Sequence, residues 1–425
     1  MNPDEQMHLS KAMNRRSFLQ RSAAFGVAIP SAAAILAACS KPGTGSPVPS
    51  GSRNPLEVPP SPKNPVKWPL YGQAIADDTP IETNVTLQVY NWGYYLWPAL
   101  FRRFEDQYKK YNVKVELTTF NNEEEAVQKL KSGAIKPDVT FPTVYVVGQQ
   151  IVSELLQPLN HNLVPNMAAN CWDQFQNPWY DQEWQYTVPY VVWTTGIGYR
   201  RDHIDDALAT SSQYDLLWNP KYKGKVAFYD TEQNAIAMSL LKNGYTDVNT
   251  GDAEAIGVAK DDLIKLVTDS NARIANDDYS TVPADQIWTT QSWSGDIVAA
   301  KFYLPKGTSE DVLGYWYPPE GGGVVGNDML AIPASAEHPR LAHEFLNFML
   351  DATNAFDNFT NYTGYQPPQK TLDPTSLVPD VVPAGLAAAV VSEANVTDGQ
   401  YLTSLTPDVN ALWAKAWDEI KAGAG

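Results

Sequence analysis

Alternation of strand-like and helix-like segments is the feature that most constrains the fold of this chain. Segments 85–92 and 113–120 place apolar residues at every second position, as in VTLQVYNW, and each is followed by a stretch with helical spacing. The same order returns after residue 200, where KVAFYD precedes TEQNAIAMSLLKNGY. This alternation predicts a mainly parallel sheet covered by helices on both faces. In such sheets, ligands bind beyond the carboxyl ends of the strands.

Aromatic and acidic residues cluster where the predicted strands end. These positions are Trp92, Tyr94, Tyr95, Tyr145, Tyr229, Asp230, Glu232, Trp293, Asp296 and Asp328. An aromatic face attracts an organic cation by about 0.5–2 kcal/mol per good contact, and a buried ammonium must also be paired. The pattern therefore predicts a cleft for an alkylammonium group, in which two separated carboxylates would select a diamine by its length. Trp413 and Trp417 lie in an amphipathic helical pattern, which favours packing positions.

Composition and motifs argue against several classes of function. The 48 acidic and 31 basic residues give a net charge of −17, which leaves no basic footprint for nucleic acid. No Walker P-loop, CxxC, HExxH or GxSxG motif occurs, and the five histidines lack metal-ligand spacing. We therefore expect no cofactor, no metal and no catalytic residues.

The first 80 residues predict export and tethering rather than a folded domain. NRRSFLQ and the weakly apolar run after it, which Pro30 interrupts, resemble a twin-arginine export signal and are too short for a membrane span. The run ends in LAAC, which resembles the bacterial lipobox. We therefore expect residues 1–38 to be removed and Cys39 to carry diacylglycerol. Residues 39–80 are rich in Pro, Gly and Ser, which predicts a disordered tether.

Six motifs resemble, in the family's order, the periplasmic spermidine/putrescine-binding proteins of ABC importers. They are YNWGYYLWP, DVTFPTVYVV, NPKYKGKVAFYD, WSGD, PPEGGGVVGNDMLAIPASA and TGYQPP. The resemblance covers about residues 84–423. It implies an α/β fold of two lobes, each a mainly parallel sheet flanked by helices, with the ligand cleft at the hinge. It also implies that the protein captures a putrescine-like or spermidine-like polyamine and delivers it to a membrane permease without catalysis.

The resemblance also assigns ligand-binding residues by position. The matching residues are Trp92, Tyr95, Thr143, Tyr145, Trp293, Asp296, Asp328 and Tyr365. Asp296 and Asp328 match the carboxylates that hold the amine. Tyr365 matches the tyrosine in a late turn of the family, and Trp293 matches a stacking tryptophan.

Four positions depart from the family pattern, and one of them is Thr231, which stands where the family has an acid. The usual glutamate after the third motif is Asn234; Asp230 or Glu232 could replace it, but a shifted register could equally point these two acids at solvent. Tyr94 stands where many members have an acidic residue, and Gly326 stands where they have a tryptophan. The resemblance therefore supports the cleft more strongly than the identity of its ligand.

The resemblance also implies lobe boundaries and partners. The chain is expected to cross between lobes near residues 191–198, 326–330 and 366–368. Lobe 1 then comprises residues 81–193 and 329–366, and lobe 2 comprises residues 194–328 and 367–425. The implied partners are an ABC permease, its ATPase and, through the lipid on Cys39, the membrane. The binding protein itself is expected to be a monomer.

Other interpretations remain open. The ligand could be another amine or a sugar, although a sugar site would need more amide and arginine side chains at the strand ends. A ferric-ion site would use paired tyrosines, but Tyr94 and Tyr95 lack an accompanying histidine. An exported enzyme would reveal itself by turnover or a bound cofactor. A structural envelope lipoprotein would show no closure around a ligand.

Overall fold

The computed structural model describes residues 58–319 and 322–423. The predicted export signal, the lipidation site at Cys39 and the tether as far as residue 57 lie outside the described residues. Within the described part, no helix has both the length and the apolar character needed to cross a membrane.

Strands and helices alternate along the described chain. The strands are β1 (Thr86–Trp92), β2 (Lys114–Phe120), β3 (Val139–Thr140), β4 (Thr187–Arg200), β5 (Val226–Phe228), β6 (Arg273–Ile274), β7 (Thr289–Trp293), β8 (Leu313–Trp316), β9 (Val324–Ala331) and β10 (Gln400–Tyr401). The α-helices are α1 (Pro98–Gln107), α2 (Glu123–Lys131), α3 (Val144–Val152), α4 (Pro165–Asn170), α5 (Asp206–Ser212), α6 (Glu232–Lys242), α7 (Ala253–Ser270), α8 (Asp278–Thr281), α9 (Ser294–Ala299), α10 (Pro339–Met349), α11 (Ala352–Asn358), α12 (Glu393–Asp398) and α13 (Pro407–Ala422).

The strands of the described residues form one sheet in two halves. Its order is β2-β1-β3-β9-β4-β7-β5-β6, with β10 beside β9 and β8 beside β4. In the first half β1 is parallel to β2 and β3, and in the second half β5 is parallel to β6 and β7. The long strands β4 and β9 run antiparallel to each other and join the halves. The predicted α/β fold with mainly parallel strands is confirmed in each half.

Local sequence signals explain where helices begin. Pro98 occupies the first turn of α1, where its fixed φ suits a helix and its missing N–H costs no hydrogen bond. The Asn122 side chain caps α2 by accepting the Glu125 N–H at 2.8 Å. Leu100 and Phe104 lie on one face of α1 and are fully buried, so this helix packs on the sheet.

Each half of the sheet has its own hydrophobic core. The first core includes Leu87, Phe104, Phe141, Leu330 and Phe345. The second includes Phe228, Leu240, Leu263, Trp413 and Ile420, and a third cluster beside it includes Ile297, Leu313 and Phe359. Trp413 is 0% exposed and Trp417 is 6% exposed in the second core, so their predicted packing role is confirmed.

The structured part of the chain begins before residue 80, where the tether was predicted to end. Trp68 is 2% exposed in the core of the first half, and its indole N–H donates to the Tyr180 carbonyl oxygen at 2.7 Å. The Val66 N–H donates to the Trp179 carbonyl oxygen at 2.9 Å. The prediction of a disordered tether is therefore wrong at Val66 and Trp68, because burial of an indole offsets the loss of chain entropy there.

The predicted crossings between lobes fall at the centre of the sheet. β4 contains residues 191–198, β9 contains residues 326–330, and the Val192 N–H donates to the Gln366 carbonyl oxygen at 2.9 Å. Residues 367–425 are predicted to belong to lobe 2, and α13 packs on the second core.

One part of the tail differs from that assignment. Val391, Val396 and Tyr401 pack in the first core. They reach it because β10 pairs with β9 at the junction of the halves, which draws this stretch of chain across. The remaining lobe boundaries stay predictions.

Candidate binding site

The predicted site residues lie where strands of both halves end. Trp92 ends β1, Thr143 follows β3, Tyr229 follows β5 and Trp293 ends β7. Asp328 lies on β9, and its main chain pairs with Thr143 through an isolated bridge. The strand ends therefore deliver aromatic and acidic side chains to the line where the halves join.

Asp328 is a buried acid with spare hydrogen-bonding capacity. It is 5% exposed, and its Oδ2 accepts the hydroxyl of Tyr95. Burial raises the pKa of Asp328 to about 6, although the Tyr95 hydroxyl and the nearby polar groups of Thr143 and Trp193 act to lower it. Oδ1 is buried and receives no donor from the described residues. The carboxylate can therefore accept one more N–H group.

Two tyrosines connect Asp328 with a second acid, Asp296. The rings of Tyr95 and Tyr365 pack edge to face with centroids 4.8 Å apart, and the Tyr365 hydroxyl donates to Asp296 Oδ1 at 3.0 Å. Tyr365 can lie there because residue 295 is a glycine, since a Cβ on Gly295 would be 2.2 Å from its ring. Asp296 and Asp328 thus belong to one connected group of side chains.

A third acid, Asp278, joins this group and was missed in the sequence. Asp278 is 2% exposed and accepts the Ser292 hydroxyl at 2.5 Å. The Tyr229 hydroxyl oxygen lies 3.1 Å from Asp278 Oδ2 and 3.2 Å from Asp296 Oδ2. Asp278 is the first residue of α8 and comes four residues after the end of β6, so its position soon after a strand end was the signal that could have found it.

Aromatic rings line these acids. Tyr229 and Trp293 are stacked with centroids 3.9 Å apart, and Trp193 lies 6.1 Å from Trp293. Trp193 on β4 is directly opposite Gly326 on β9, and a Cβ on Gly326 would lie 2.4 Å from the Trp193 ring. The indole of Trp193 therefore fills the space that a side chain at residue 326 would need. Sequence reasoning missed Trp193 because it lies inside an apolar strand that is typical of plain core.

A second set of tyrosines lies nearer the surface. Tyr94, which is 52% exposed, belongs to the loop after β1, and its ring lies 5.7 Å from that of Tyr279 in the second half. Tyr279 in turn lies 5.2 Å from Tyr303. These rings connect the two halves of the sheet outside the acidic group.

The remaining predicted residues lie apart from this group or only beside it. Trp92 packs on Phe120, with centroids 4.7 Å apart, and its indole nitrogen is buried without an acceptor among the described residues. Tyr145 is buried in α3, and Glu232 is half-buried at the start of α6. Asp230 is exposed to solvent. The structure brings together Tyr95, Thr143, Trp293, Asp296, Asp328 and Tyr365.

The chemistry of the group is that of a site for an organic cation. Buried carboxyl groups supply negative charge, and indole and phenol rings supply faces that attract a cation. Across the described ranges, no cluster of three or more His, Cys, Asp and Glu side chains could hold a metal ion.

A sheet in two halves joined by crossing strands, with buried acids and aromatic rings at the junction, is the architecture of a binding protein for a small solute. The chain matches the family described as bacterial extracellular solute-binding protein over residues 99–384, and it belongs to that family.

Two relatives of this chain are both named spermidine/putrescine-binding periplasmic protein. The spermidine/putrescine-binding periplasmic protein of Escherichia coli K12 is 31% identical over 280 residues, which are 65% of this chain and 74% of the relative. Its counterpart in Salmonella typhimurium is 28% identical over 352 residues, which are 80% of this chain and 92% of the relative.

A solved structure supports the fold. The spermidine/putrescine ABC transporter substrate-binding protein PotD of Streptococcus pneumoniae, crystallised with calcium and HEPES, has a TM-score of 0.64 at 22% identity, with coverage of 80% of this chain and 100% of that chain. The predicted two-lobed α/β fold and the predicted family are therefore confirmed.

Proposed function

We propose that this protein captures a small polyamine, putrescine-like or spermidine-like, at the junction of the two halves. The observation that carries the proposal is the connection of two acids through tyrosines. Asp296 and Asp328 each accept a tyrosine hydroxyl, and the two tyrosines, Tyr365 and Tyr95, pack against each other. Ammonium groups at the two ends of one alkyl chain would each find a carboxylate. The printed names of the relatives support the same class of ligand.

Each residue of the group has a proposed role. Asp328 and Asp296 pair with the ammonium groups, and Trp293 and Tyr365 provide faces along the alkyl chain. Thr143 and Tyr95 hold the Asp328 carboxylate, while Trp92, Tyr145 and Glu232 remain candidates at the edge of the cleft. Asp230 is the weakest candidate, because its exposure keeps it hydrated.

Closure around the ligand is proposed to occur about the central strands. β4, β9 and residues 366–368 would form the hinge between lobe 1 and lobe 2, with the boundaries given by the resemblance. The contact between Tyr94 and Tyr279 supports this proposal, because it would have to break for the halves to separate. Such a protein binds and releases its ligand as a monomer, without catalysis, cofactor or metal.

The remaining proposals concern where the protein works. Its first residues would direct export, and cleavage before Cys39 would leave a diacylglycerol anchor on the outer face of the cytoplasmic membrane. An ABC permease and its ATPase would then receive the polyamine. The sequence signals NRRSF and LAAC support this route, and the family of extracellular solute-binding proteins is consistent with it.

Calorimetry tests the ligand directly. Protein lacking residues 1–39 should bind putrescine or spermidine more tightly than agmatine, and should not bind glycine betaine, whose quaternary amine cannot donate hydrogen bonds to carboxylates. If calorimetry detected binding of a sugar or of glycine betaine but not of either polyamine, the ligand would be another solute. A bound chromophore or turnover of a substrate would favour an enzyme, and no binding at all would leave a structural lipoprotein.

Trp193 should contribute to binding although it lies in a strand. Trp193→Ala removes an indole beside Asp328, and the expected loss is about 0.5–2 kcal/mol of cation–π attraction, or about 2- to 30-fold in Kd. Adding Gly326→Trp to that variant should restore part of the affinity, because the two positions share one space. Trp218→Ala is the matched control, because Trp218 packs on the second core. Equal affinities of the Trp193 and Trp218 variants by calorimetry would remove Trp193 from the site.

A further inference from the structure

Two carboxyl oxygens lie within hydrogen-bonding distance of the Tyr229 hydroxyl, which has only one proton to donate. Tyr229 Oη accepts the main-chain N–H of Trp293 at 2.6 Å. The same oxygen lies 3.1 Å from Asp278 Oδ2 and 3.2 Å from Asp296 Oδ2. A phenol has a single O–H and can donate to only one of these carboxyl oxygens. The other close pair of oxygens therefore needs a proton on the carboxyl group. Two ionised carboxylates that both lie within about 3.2 Å of one hydroxyl oxygen would also repel each other strongly.

Within the part of the chain that the structure describes, nothing around the two acids supplies a compensating positive charge. The titratable groups that face them are Tyr229 after β5, Tyr279 of α8, Tyr303 after α9, Tyr315 of β8 and Tyr365. Ser292 donates to Asp278, and Tyr365 donates to Asp296. Asp278 Oδ1 is buried and receives no donor from the described residues. Among those residues, no lysine, arginine or histidine acts on either carboxyl group.

We propose that Asp278 is a positioning residue of the amine site, which shares one proton with Asp296 until an ammonium group replaces that proton. The ammonium enters with its own hydrogens and pairs with Asp296, the shared proton leaves to the solvent, and both carboxylates are then ionised. This inference rests on the proposed function, and it identifies a residue that acts through Asp296 rather than by its own contact with the ligand.

Burial supports the same picture. It raises the pKa of Asp296, and it raises that of Asp278 further because the charge of Asp296 adds to it. The pKa of Asp328 is raised only to about 6, so this third acid is mostly ionised at pH 7.5 and releases little proton there. Proton release at pH 7.5 therefore reports on the pair of Asp278 and Asp296.

Calorimetry in buffers of different ionisation enthalpy counts the released protons. When putrescine or spermidine binds at pH 7.5, the wild-type protein should release about one proton, and its affinity should rise about tenfold per pH unit below the pKa of the pair. Asp278→Asn keeps the shape of the side chain, and its amide can donate to Asp296 in place of the acid. That variant should release almost no proton and lose the pH dependence. Asp418→Asn changes an exposed residue of α13 and should behave as wild type.

The outcomes separate this inference from the proposed function. Tight polyamine binding without proton release, or full release in Asp278→Asn, would overturn the shared proton and leave the function intact. If Asp278→Asn does not fold, infrared spectroscopy of the wild-type protein decides, because the carbonyl absorption of protonated carboxylic acids must decrease when putrescine is added. Buried Asp181, whose pKa is raised to about 7, can contribute a constant absorption at the same frequency. A carbonyl absorption that putrescine leaves unchanged overturns the inference. No binding of either polyamine overturns both proposals.

Discussion

Asp328→Asn is expected to weaken polyamine binding by about two to three orders of magnitude. The substitution keeps the size of the side chain but removes its charge, so an ammonium group buried beside it would be left unpaired. Loss of one partner from a buried charge pair costs about 3–4 kcal/mol, and each 1.4 kcal/mol is about tenfold in Kd. The amide oxygen of the new side chain could still accept the hydroxyl of Tyr95, so the fold around β9 should survive. Calorimetry with putrescine and spermidine measures the effect.

Two comparisons make this experiment specific. Trp293→Ala should weaken binding less, because a ring face contributes about 0.5–2 kcal/mol. Asp418→Asn makes the same chemical change at an exposed position on α13 and should leave the affinity unchanged. If Asp328→Asn bound polyamine as tightly as Asp418→Asn, the assignment of Asp328 to the ammonium would be wrong.

The fold could be predicted further than the site because its signals are periodic. Parallel strands buried on both faces and helices with one apolar face leave repeating patterns, so β1, β2, β5 and their helices were visible in the sequence. Burial by tertiary contact leaves no such pattern. Trp68 lies in a proline-rich segment whose composition is typical of a tether, and only its contacts with the first core order it.

The site residues that lie in recognisable motifs could also be predicted, whereas Asp278 was missed. Asp296 and Asp328 follow or occupy strands in recognisable motifs, and the structure connects them through Tyr365 and Tyr95. Asp278 follows a strand of only two residues, too short to give a clear alternation.

The side on which a loop residue emerges cannot be read from spacing. Asp230 is exposed, whereas Tyr229 immediately before it is buried against Asp278 and Asp296. The backbone geometry after β5 determines which of the two side chains is buried, because the chain there no longer follows the regular alternation of a strand.

Trp68→Ala is expected to lower the free energy of unfolding of the first half by about 3–5 kcal/mol, the usual cost of removing a buried tryptophan. Trp68 is among the largest fully buried side chains, and its loss also leaves the Tyr180 carbonyl oxygen without its indole donor. The urea midpoint, followed by circular dichroism, measures the change. Leu70→Ala is the matched control two residues away, because Leu70 is 59% exposed.

The same substitution should reach the binding site through α3. The Trp68 ring lies against Gly148 of that helix, so closely that a Cβ there would be 3.2 Å from it. Thr143 precedes α3 and pairs with Asp328 through its main chain, so loosening the helix should also weaken polyamine binding, by less than Asp328→Asn does. A protein that begins at residue 81 lacks Trp68 altogether and should show both losses. Unfolding midpoints of Trp68→Ala and Leu70→Ala that coincide would mean that residues 58–80 contribute no stability and belong to the tether after all.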